Sequence, residues 1–324
     1  MKEFTIQKND AGQRLDRFVA KSVPLLPPAL TQKYIRLKRI KLNGRGAKQD
    51  TKLALGDLVE MYVNDEFFEA PTEENAFLKI ADPKLDIVYE DENILLVNKM
   101  AGMLSHSDGA WSYNTLIAHI QAYLYNKREW RPREEHAFAP ALCNRIDRNT
   151  QGLVIAAKNA EALRVMNDKI KAREVEKFYL AAVHGEIKPK SGRLEGHIFK
   201  DAVKNQVFVS DKSVVGSKTA VTEYKTLSVN NGLSLLECRL ITGRTHQIRA
   251  QLSHAGHPLL GDGKYGSGKM NRPFGETGQA LCSYRLVFDF RSDAGILRNL
   301  SGREFKIDTV DFVEKYFMEF SAKL

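Results

Sequence analysis

Cysteine is scarce in this chain: Cys143, Cys238 and Cys282 are the three among 324 residues, and they lie far apart. Without paired spacing they suggest neither a disulfide framework nor a zinc cluster. Long apolar runs are also missing. No stretch approaches the roughly 18 consecutive apolar residues that span a bilayer. Residues Met1 to Asp10 are charged and lack the apolar centre of a secretory signal. Internal repeats and low-complexity tracts are absent, which sets aside repeat arrays. A reducing cytoplasm is the expected location and a monomer the expected state.

What is present bounds the fold. The composition is 43% hydrophobic and 27% charged, enough at this length for a sizeable core, and the length favours two domains or one large domain with an appendage. The net charge of +9 is concentrated: residues 1–60 hold thirteen Lys/Arg against six Asp/Glu. Within Thr31–Lys48 stand seven basic residues, Lys33, Arg36, Lys38, Arg39, Lys41, Arg45 and Lys48, and no acidic one. Such a field attracts a polyanion, because each neutralised phosphate releases counterions. A merely solvated basic face is the plainer alternative. An anionic membrane also suits the charge, but the segment lacks a long amphipathic helix with aromatic anchors, so no membrane partner is expected.

Three stretches follow one another. Residues 1–64 read as a small α+β module. Leu15, Phe18 and Val19 form one helical stripe, Pro27-Pro28 opens a second helix to about Leu37, and Asn43-Gly44 marks a turn between Ile40–Leu42 and a closing strand, Leu58–Val63. Residues 65–83 are of mixed polarity and read as a linker. Residues 84–324 read as a larger domain. Asp86–Asn98 suggests two short strands, Leu153–Ala157 a buried strand, and Asn159 the cap of a helix with Leu163, Met166 and Ile170 on its apolar face. Val175–His184 returns as a strand. Strands and helices mix without a βαβ repeat, so the expected class is α+β on a mixed, largely antiparallel sheet.

Two segments carry the chemistry. Asn144-Arg145-Ile146-Asp147-Arg148-Asn149-Thr150-Gln151-Gly152-Leu153 is a polar loop just before the buried strand. Arg145 and Arg148 flank Asp147, which favours an ionised carboxylate, the form a nucleophile needs. Asp147 as a turn-forming residue is the commoner use of an aspartate in such a loop. The second segment is Leu240-Ile241-Thr242-Gly243-Arg244-Thr245-His246-Gln247-Ile248-Arg249. Thr245 is expected to cap a helix ending at His254 before Gly256, with Ile248, Leu252 and Ala255 facing the core. His246 and Arg249 then share a neighbouring face and can project together into a cleft. Arg249 suits bidentate pairing with a carboxylate or phosphate, or is an ordinary solvated arginine.

Together these segments resemble the large family of pseudouridine synthases acting on ribosomal and transfer RNA, on the branch that includes the large-subunit rRNA enzymes. That family's nucleophile motif usually reads His-Arg-Leu-Asp, two residues, Thr-Ser-Gly and an apolar strand, and its counterpart here runs from Asn144 to Ile155. Its Lys-x-Tyr motif stands as Lys177-Phe178-Tyr179, ahead of Val183-His184-Gly185. Its third motif stands as Thr242 to Arg249, followed by Gly256-His257-Pro258-Leu259-Leu260-Gly261-Asp262 and Tyr265-Gly266. Asn98-Lys99 with Gly102, and Lys218 to Thr222, match more weakly. The resemblance spans about residues 84–290. Asn144 departs from the usual His, Ile146 from Leu, Gln151 from Ser, and Met100 from the Pro usual after Asn98-Lys99. Residues 1–64 are similar to the RNA-binding module named after the fourth small-subunit ribosomal protein, through Arg14-Leu15-Asp16, the basic second helix, Ile40 to Gly44 and Leu55-Gly56-Asp57. There Pro28-Ala29 replaces a common Ser-Arg pair.

The resemblance implies an RNA uridine isomerase of the pseudouridine synthase fold, without cofactor or metal. It implies Asp147 as the attacking carboxylate, Arg249 as its partner, and Tyr179 as a residue that stacks on the uracil and takes part in proton transfer. Read alone, Tyr179 is a strand aromatic packed in a core. A stacked uridine must be flipped out to react, and the resemblance gives Arg145 the task of filling the vacated space. The basic residues Lys33, Arg36, Lys38, Arg39, Lys41 and Arg45 are then RNA contacts. Large-subunit ribosomal RNA is the expected partner, with transfer RNA, or a noncatalytic ribosome-assembly role on the same scaffold, as alternatives.

Three other patterns are set aside. Gly261-Asp262-Gly263-Lys264-Tyr265-Gly266 fits a dinucleotide fingerprint by letter but follows a proline-containing loop, and a partial phosphate loop from Gly263 to Lys269 meets Met270 where Ser or Thr is required. His246, His254 and His257 lack the spacing of a zinc site. Trp111 and Trp130 suit RNA stacking or packing beneath a loop.

Overall fold

Punctuation in the first sixty residues acts as its chemistry demands. In the computed structural model, which describes residues 1–7, 9–70, 72, 75–107, 114–132, 138–201, 206–276 and 278–321, Pro28 opens a helix at its first position. Asn43 and Gly44, both at positive φ, form a two-residue hairpin turn. Met1–Lys84 with His106–Arg131 make one compact unit, and Leu85–Ser105 with Pro132–Leu324 make another.

The first unit contains β1 (Lys2–Thr5), α1 (Leu15–Ser22), α2 (Pro28–Arg36), β2 (Ile40–Leu42), β3 (Arg45–Gly46), β4 (Leu58–Met61) and α3 (Leu116–Lys127). Its antiparallel sheet has the order β1-β4-β2-β3. Leu15, Phe18 and Val19 are buried as the stripe requires. The closing strand stops at Met61, two residues earlier than its composition suggests. Residues 65–83 carry two short 3-10 helices, Asp65–Phe68 and Ala76–Lys79, which bury Phe67, Phe77 and Leu78. Trp130 is buried, its ring 4.8 Å from that of Phe77, so it serves packing. Trp111 lies outside the described residues.

The second unit is built on β5 (Ile87–Glu90), β6 (Ile94–Lys99), β7 (Ala141–Leu142), β8 (Gln151–Ala157), α4 (Ala160–Lys171), β9 (Val175–His184), β10 (Ser191–Asp201), β11 (Gln206–Ser210), β12 (Lys218–Asn230), β13 (Leu233–Leu240), α5 (Gln247–His254), β14 (Leu281–Phe288) and β15 (Glu304–Lys306). Nine strands follow the order β11-β10-β12-β13-β9-β14-β8-β6-β5, with β15 on β14 and β7 on β8. Among the described residues β8 and β14 pair in parallel and the other pairings are antiparallel. This is the mixed, largely antiparallel α+β architecture expected from the sequence. No helix among the described residues is long and apolar enough to cross a membrane.

The core lies at the centre of this sheet. Leu153 through Ala157 are all buried, so β8 is covered on both faces, and alternate residues Leu153, Ile155 and Ala157 join Met166 of α4 in one cluster. Truncating a Leu there costs about 2–5 kcal/mol. Asn159 caps α4 as expected, its Oδ1 accepting the Ala162 N–H at 2.8 Å.

Candidate active site

Asp147 stands in the loop that delivers the chain from β7 into β8, and the loop is braced at several points. Asn144 Oδ1 accepts the Ile155 N–H at 2.8 Å, and the Thr150 N–H donates to the Asp147 carbonyl at 3.1 Å. The buried Lys99 ammonium donates to the carbonyls of Met100, Met103 and Arg148 at 3.0, 2.8 and 3.0 Å. Ser105 Oγ adds a bond to the Ile146 carbonyl at 2.9 Å. Burial pushes Lys99 down to about 8, while the Asp147 charge opposes that shift.

Gly152 is required by close approach. A Cβ there would lie 2.3 Å from the Ser283 carbonyl oxygen, and φ is +130°. Ser283 of β14 pairs with Gly152 on one side and with Tyr179 of β9 on the other. Three adjacent strands therefore set Tyr179 near the Asp147 loop. Tyr179 is buried, and burial pushes its phenol up to about 12 against a hydrogen bond from Ser283. It is thus a protonated hydroxyl at neutral pH.

The partner of Asp147 comes from α5. Arg249 Nη1 donates to Asp147 Oδ2 at 2.7 Å. Its Nε and Nη2 donate to Asp262 Oδ2 and Oδ1 at 2.7 and 3.1 Å, so one guanidinium joins two carboxylates. The side chains of Arg249 and Asp262 are 9% and 0% exposed, whereas that of Asp147 is 25% exposed. Of the two carboxylates, Asp147 is the one open to a substrate. Asp262 Oδ1 also accepts the N–H groups of Lys264 and Tyr265 at 2.8 and 3.1 Å. Burial works to raise the Asp262 carboxyl, and Arg249 with these N–H groups outweighs it, leaving it below the usual carboxylate range.

Several expectations need correction. Arg145 and Arg148 are exposed, and neither pairs with Asp147; Arg148 Nε donates to the Gly102 carbonyl at 3.1 Å instead. Thr245 does not cap α5. His246 takes the cap position in the left-handed region at φ 53°, because Gln247 Oε1 turns back to accept the Arg244 N–H at 3.0 Å. Ala255 is exposed rather than packed in the core. Gly256 does follow the helix, at φ +85°.

The glycine-rich stretch 261–266 is a cradle for Asp262: its N–H groups at 264 and 265 serve that carboxylate, which is the reverse of a phosphate loop. His246, His254 and His257 have separate partners in Tyr265, Asp211 and the His184 carbonyl. The described residues contain no group of His, Cys, Asp and Glu arranged to hold a metal.

The family described as RNA pseudouridylate synthase matches residues 93–254. The chain is 31% identical over 288 residues to an uncharacterized RNA pseudouridine synthase of Bacillus subtilis, covering 89% of each chain. It belongs to the RNA pseudouridine synthases. The synthase is also 30% identical over 275 residues to ribosomal large subunit pseudouridine synthase C of Vibrio parahaemolyticus, covering 84% of this chain and 82% of that one. To ribosomal large subunit pseudouridine synthase D of Neisseria meningitidis it is 32% identical over 299 residues, covering 88% and 74%. Its fold is similar to that of human RNA pseudouridylate synthase domain containing 1, with a TM-score of 0.53 at 21% identity over 72% of this chain and 94% of that one.

Of the synthase's expected site residues, Asp147 and Arg249 meet directly, and Tyr179 stands two strands from Gly152. Arg145 is exposed two residues before Asp147. In the other unit, Lys33, Arg36, Lys38, Arg39 and Arg45 are exposed and Lys41 is half-buried, on α2, β2, β3 and the turn between α2 and β2. Arg39 lies over the Tyr34 ring at 5.3 Å, and Lys41 over Tyr62 at 5.0 Å. Sequence reasoning missed the roles of Asp262 and Lys99. Both lie inside stretches that match the family's pattern, but a buried charge held by backbone groups leaves no spacing signature.

Proposed function

We propose that this synthase isomerises uridines of large-subunit ribosomal RNA, with Asp147 as nucleophile on a uridine turned out of the RNA helix. The observation that carries the reading is the 2.7 Å bond from Arg249 Nη1 to Asp147 Oδ2, made by a guanidinium that Asp262 fixes from behind. A carboxylate so held is aimed before substrate arrives. The names of two relatives, which specify the large ribosomal subunit, support the choice of RNA.

The reaction breaks the bond from the sugar to ring nitrogen N1, turns the uracil over, and joins the sugar to C5. The C5 proton is lost and N1 gains one. Base and sugar stay in one site, so no second substrate enters. Flipping the nucleotide costs a few kcal/mol, and Arg145, exposed beside Asp147, fills the space it leaves. Tyr179 contributes its ring face and a neutral hydroxyl. Lys33, Arg36, Lys38, Arg39, Lys41 and Arg45 hold RNA phosphates independently of sequence.

The test is tritium release from C5 of labelled uridine in large-subunit ribosomal RNA and, separately, in transfer RNA. Release from the ribosomal RNA is expected. Release confined to transfer RNA overturns the target, and no release from either favours a noncatalytic ribosome-assembly role.

A further inference from the structure

His246 is the second polar side chain at the reacting carboxylate. Its Nε2 lies 3.6 Å from Asp147 Oδ2, beyond hydrogen-bond length, and its Nδ1 lies 2.8 Å from the Tyr265 hydroxyl oxygen. That oxygen also accepts the Val207 N–H at 3.0 Å. Hydrogen-bond inventory then assigns the protons. Burial raises the Tyr265 phenol above its ordinary value, so it keeps its hydrogen. The Val207 N–H takes one lone pair of that oxygen; the phenol O–H finds its acceptor when it points at Nδ1, and in that arrangement the imidazole hydrogen sits on Nε2.

The ring is neutral as well. Burial lowers His246, and the Arg249 and Lys264 cations push the same way, against Asp147 and Asp262. The side chain is 16% exposed. The outcome is an N–H donor with no acceptor within hydrogen-bond reach among the described residues, facing Asp147 Oδ2.

We propose that His246 is a catalytic residue whose Nε2–H donates a hydrogen bond to the uracil while that ring is detached from the sugar. This role rests on Asp147 being the nucleophile. When the bond from the sugar to N1 breaks, its electron pair stays on the ring and spreads over N1 and the two carbonyl oxygens. A neutral donor beside Asp147 stabilises that charge and keeps a ring that has lost its covalent tether. His246 retains its proton throughout, so the C5 proton lost and the N1 proton gained still balance. Tyr265 is a positioning residue that fixes the tautomer, and Val207 of β11 fixes Tyr265.

The experiment uses the full chain and C5-tritiated RNA under single-turnover conditions, with RNA affinity measured alongside. His246→Asn, which tolerates the left-handed backbone, is expected to lose roughly 10²–10³-fold in rate with affinity unchanged. Tyr265→Phe is expected to lose less, about tenfold, because the ring survives with its tautomer released. Nitrogen-15 NMR of the histidine rings is expected to show a neutral Nε2–H form for His246 at neutral pH, and a mixture in Tyr265→Phe. Wild-type turnover in His246→Asn, a loss confined to affinity, or an Nδ1–H form in the wild type overturns the proposal. If His246→Asn does not fold, Tyr265→Phe and the wild-type spectrum decide it. An inactive Asp147→Asn beside a fully active His246→Asn sinks this role alone; a fully active Asp147→Asn sinks the nucleophile reading beneath it.

Discussion

Arg249 and Asp262 meet through two N–H···O bonds, Nε to Oδ2 at 2.7 Å and Nη2 to Oδ1 at 3.1 Å. That fork leaves a single Arg249 bond for Asp147. Asp262 is therefore the anchor, and Asp147 is the end of a chain of polar contacts that begins at the N–H groups of Lys264 and Tyr265.

Asp262→Ala leaves the Arg249 cation half-paired inside the protein, and breaking a buried pair in this way costs about 3–5 kcal/mol. Denaturant unfolding measures it. Turnover is expected to fall further than RNA affinity, because the guanidinium no longer has one orientation. A loss below about 1 kcal/mol would show that Asp262 does not hold Arg249.

Gly152→Ala places a methyl 2.3 Å from the Ser283 carbonyl at a backbone angle that disfavours any side chain. Strain and overpacking together are expected to cost about 2–5 kcal/mol. The lowered urea midpoint should come with lost turnover, since the same junction positions the Asp147 loop. A midpoint unchanged from wild type would mean that β8 and β14 separate freely.

Much of this arrangement was legible in the sequence, and the rest was hidden for physical reasons. Motif order led to Asp147, Tyr179 and Arg249, and apolar runs bounded by turn signals led to β6, β8 and β9. The Asp147 counter-charge was legible only through the resemblance, which gave Arg249 as its partner from 102 residues on; the local reading pointed to Arg145 and Arg148, which are neighbours in the chain but turn away. Thr245 has the chemistry of a helix cap, yet Gln247 closes the turn first and α5 begins at Gln247. Asp262 stood in the family's pattern and, by letter, in a dinucleotide fingerprint that was set aside; its pairing with Arg249 was not legible because a buried contact across 13 residues leaves no spacing signature.

Lys99 gives a pH signature. Its folded value is about 8 against an ordinary 10.5, so between those two pH values the unfolded chain holds a proton that the folded chain has released. Stability from this group therefore rises with pH across that window, by about 3 kcal/mol in all. The difference in unfolding free energy between wild type and Lys99→Met should shift in favour of wild type by that order from neutral pH to about pH 10. A pH-independent difference would contradict the depressed value.

The basic cluster predicts a salt effect. Replacing Lys33, Arg36, Lys38 and Arg39 by Ala should flatten the dependence of log affinity on log salt by roughly 0.9 for each duplex phosphate left without its cation. The single-turnover rate on saturated RNA should stay near wild type. An unchanged salt slope would show that these side chains do not reach RNA.

The central claim is chemical, and one comparison tests it most directly: single-turnover pseudouridine formation by wild type and Asp147→Asn on the same RNA, with binding measured in parallel. Equal binding with a rate reduced by roughly 10⁴ or more is the expected result. Substantial turnover by Asp147→Asn would contradict a mechanism in which the carboxylate held by Arg249 attacks the uridine.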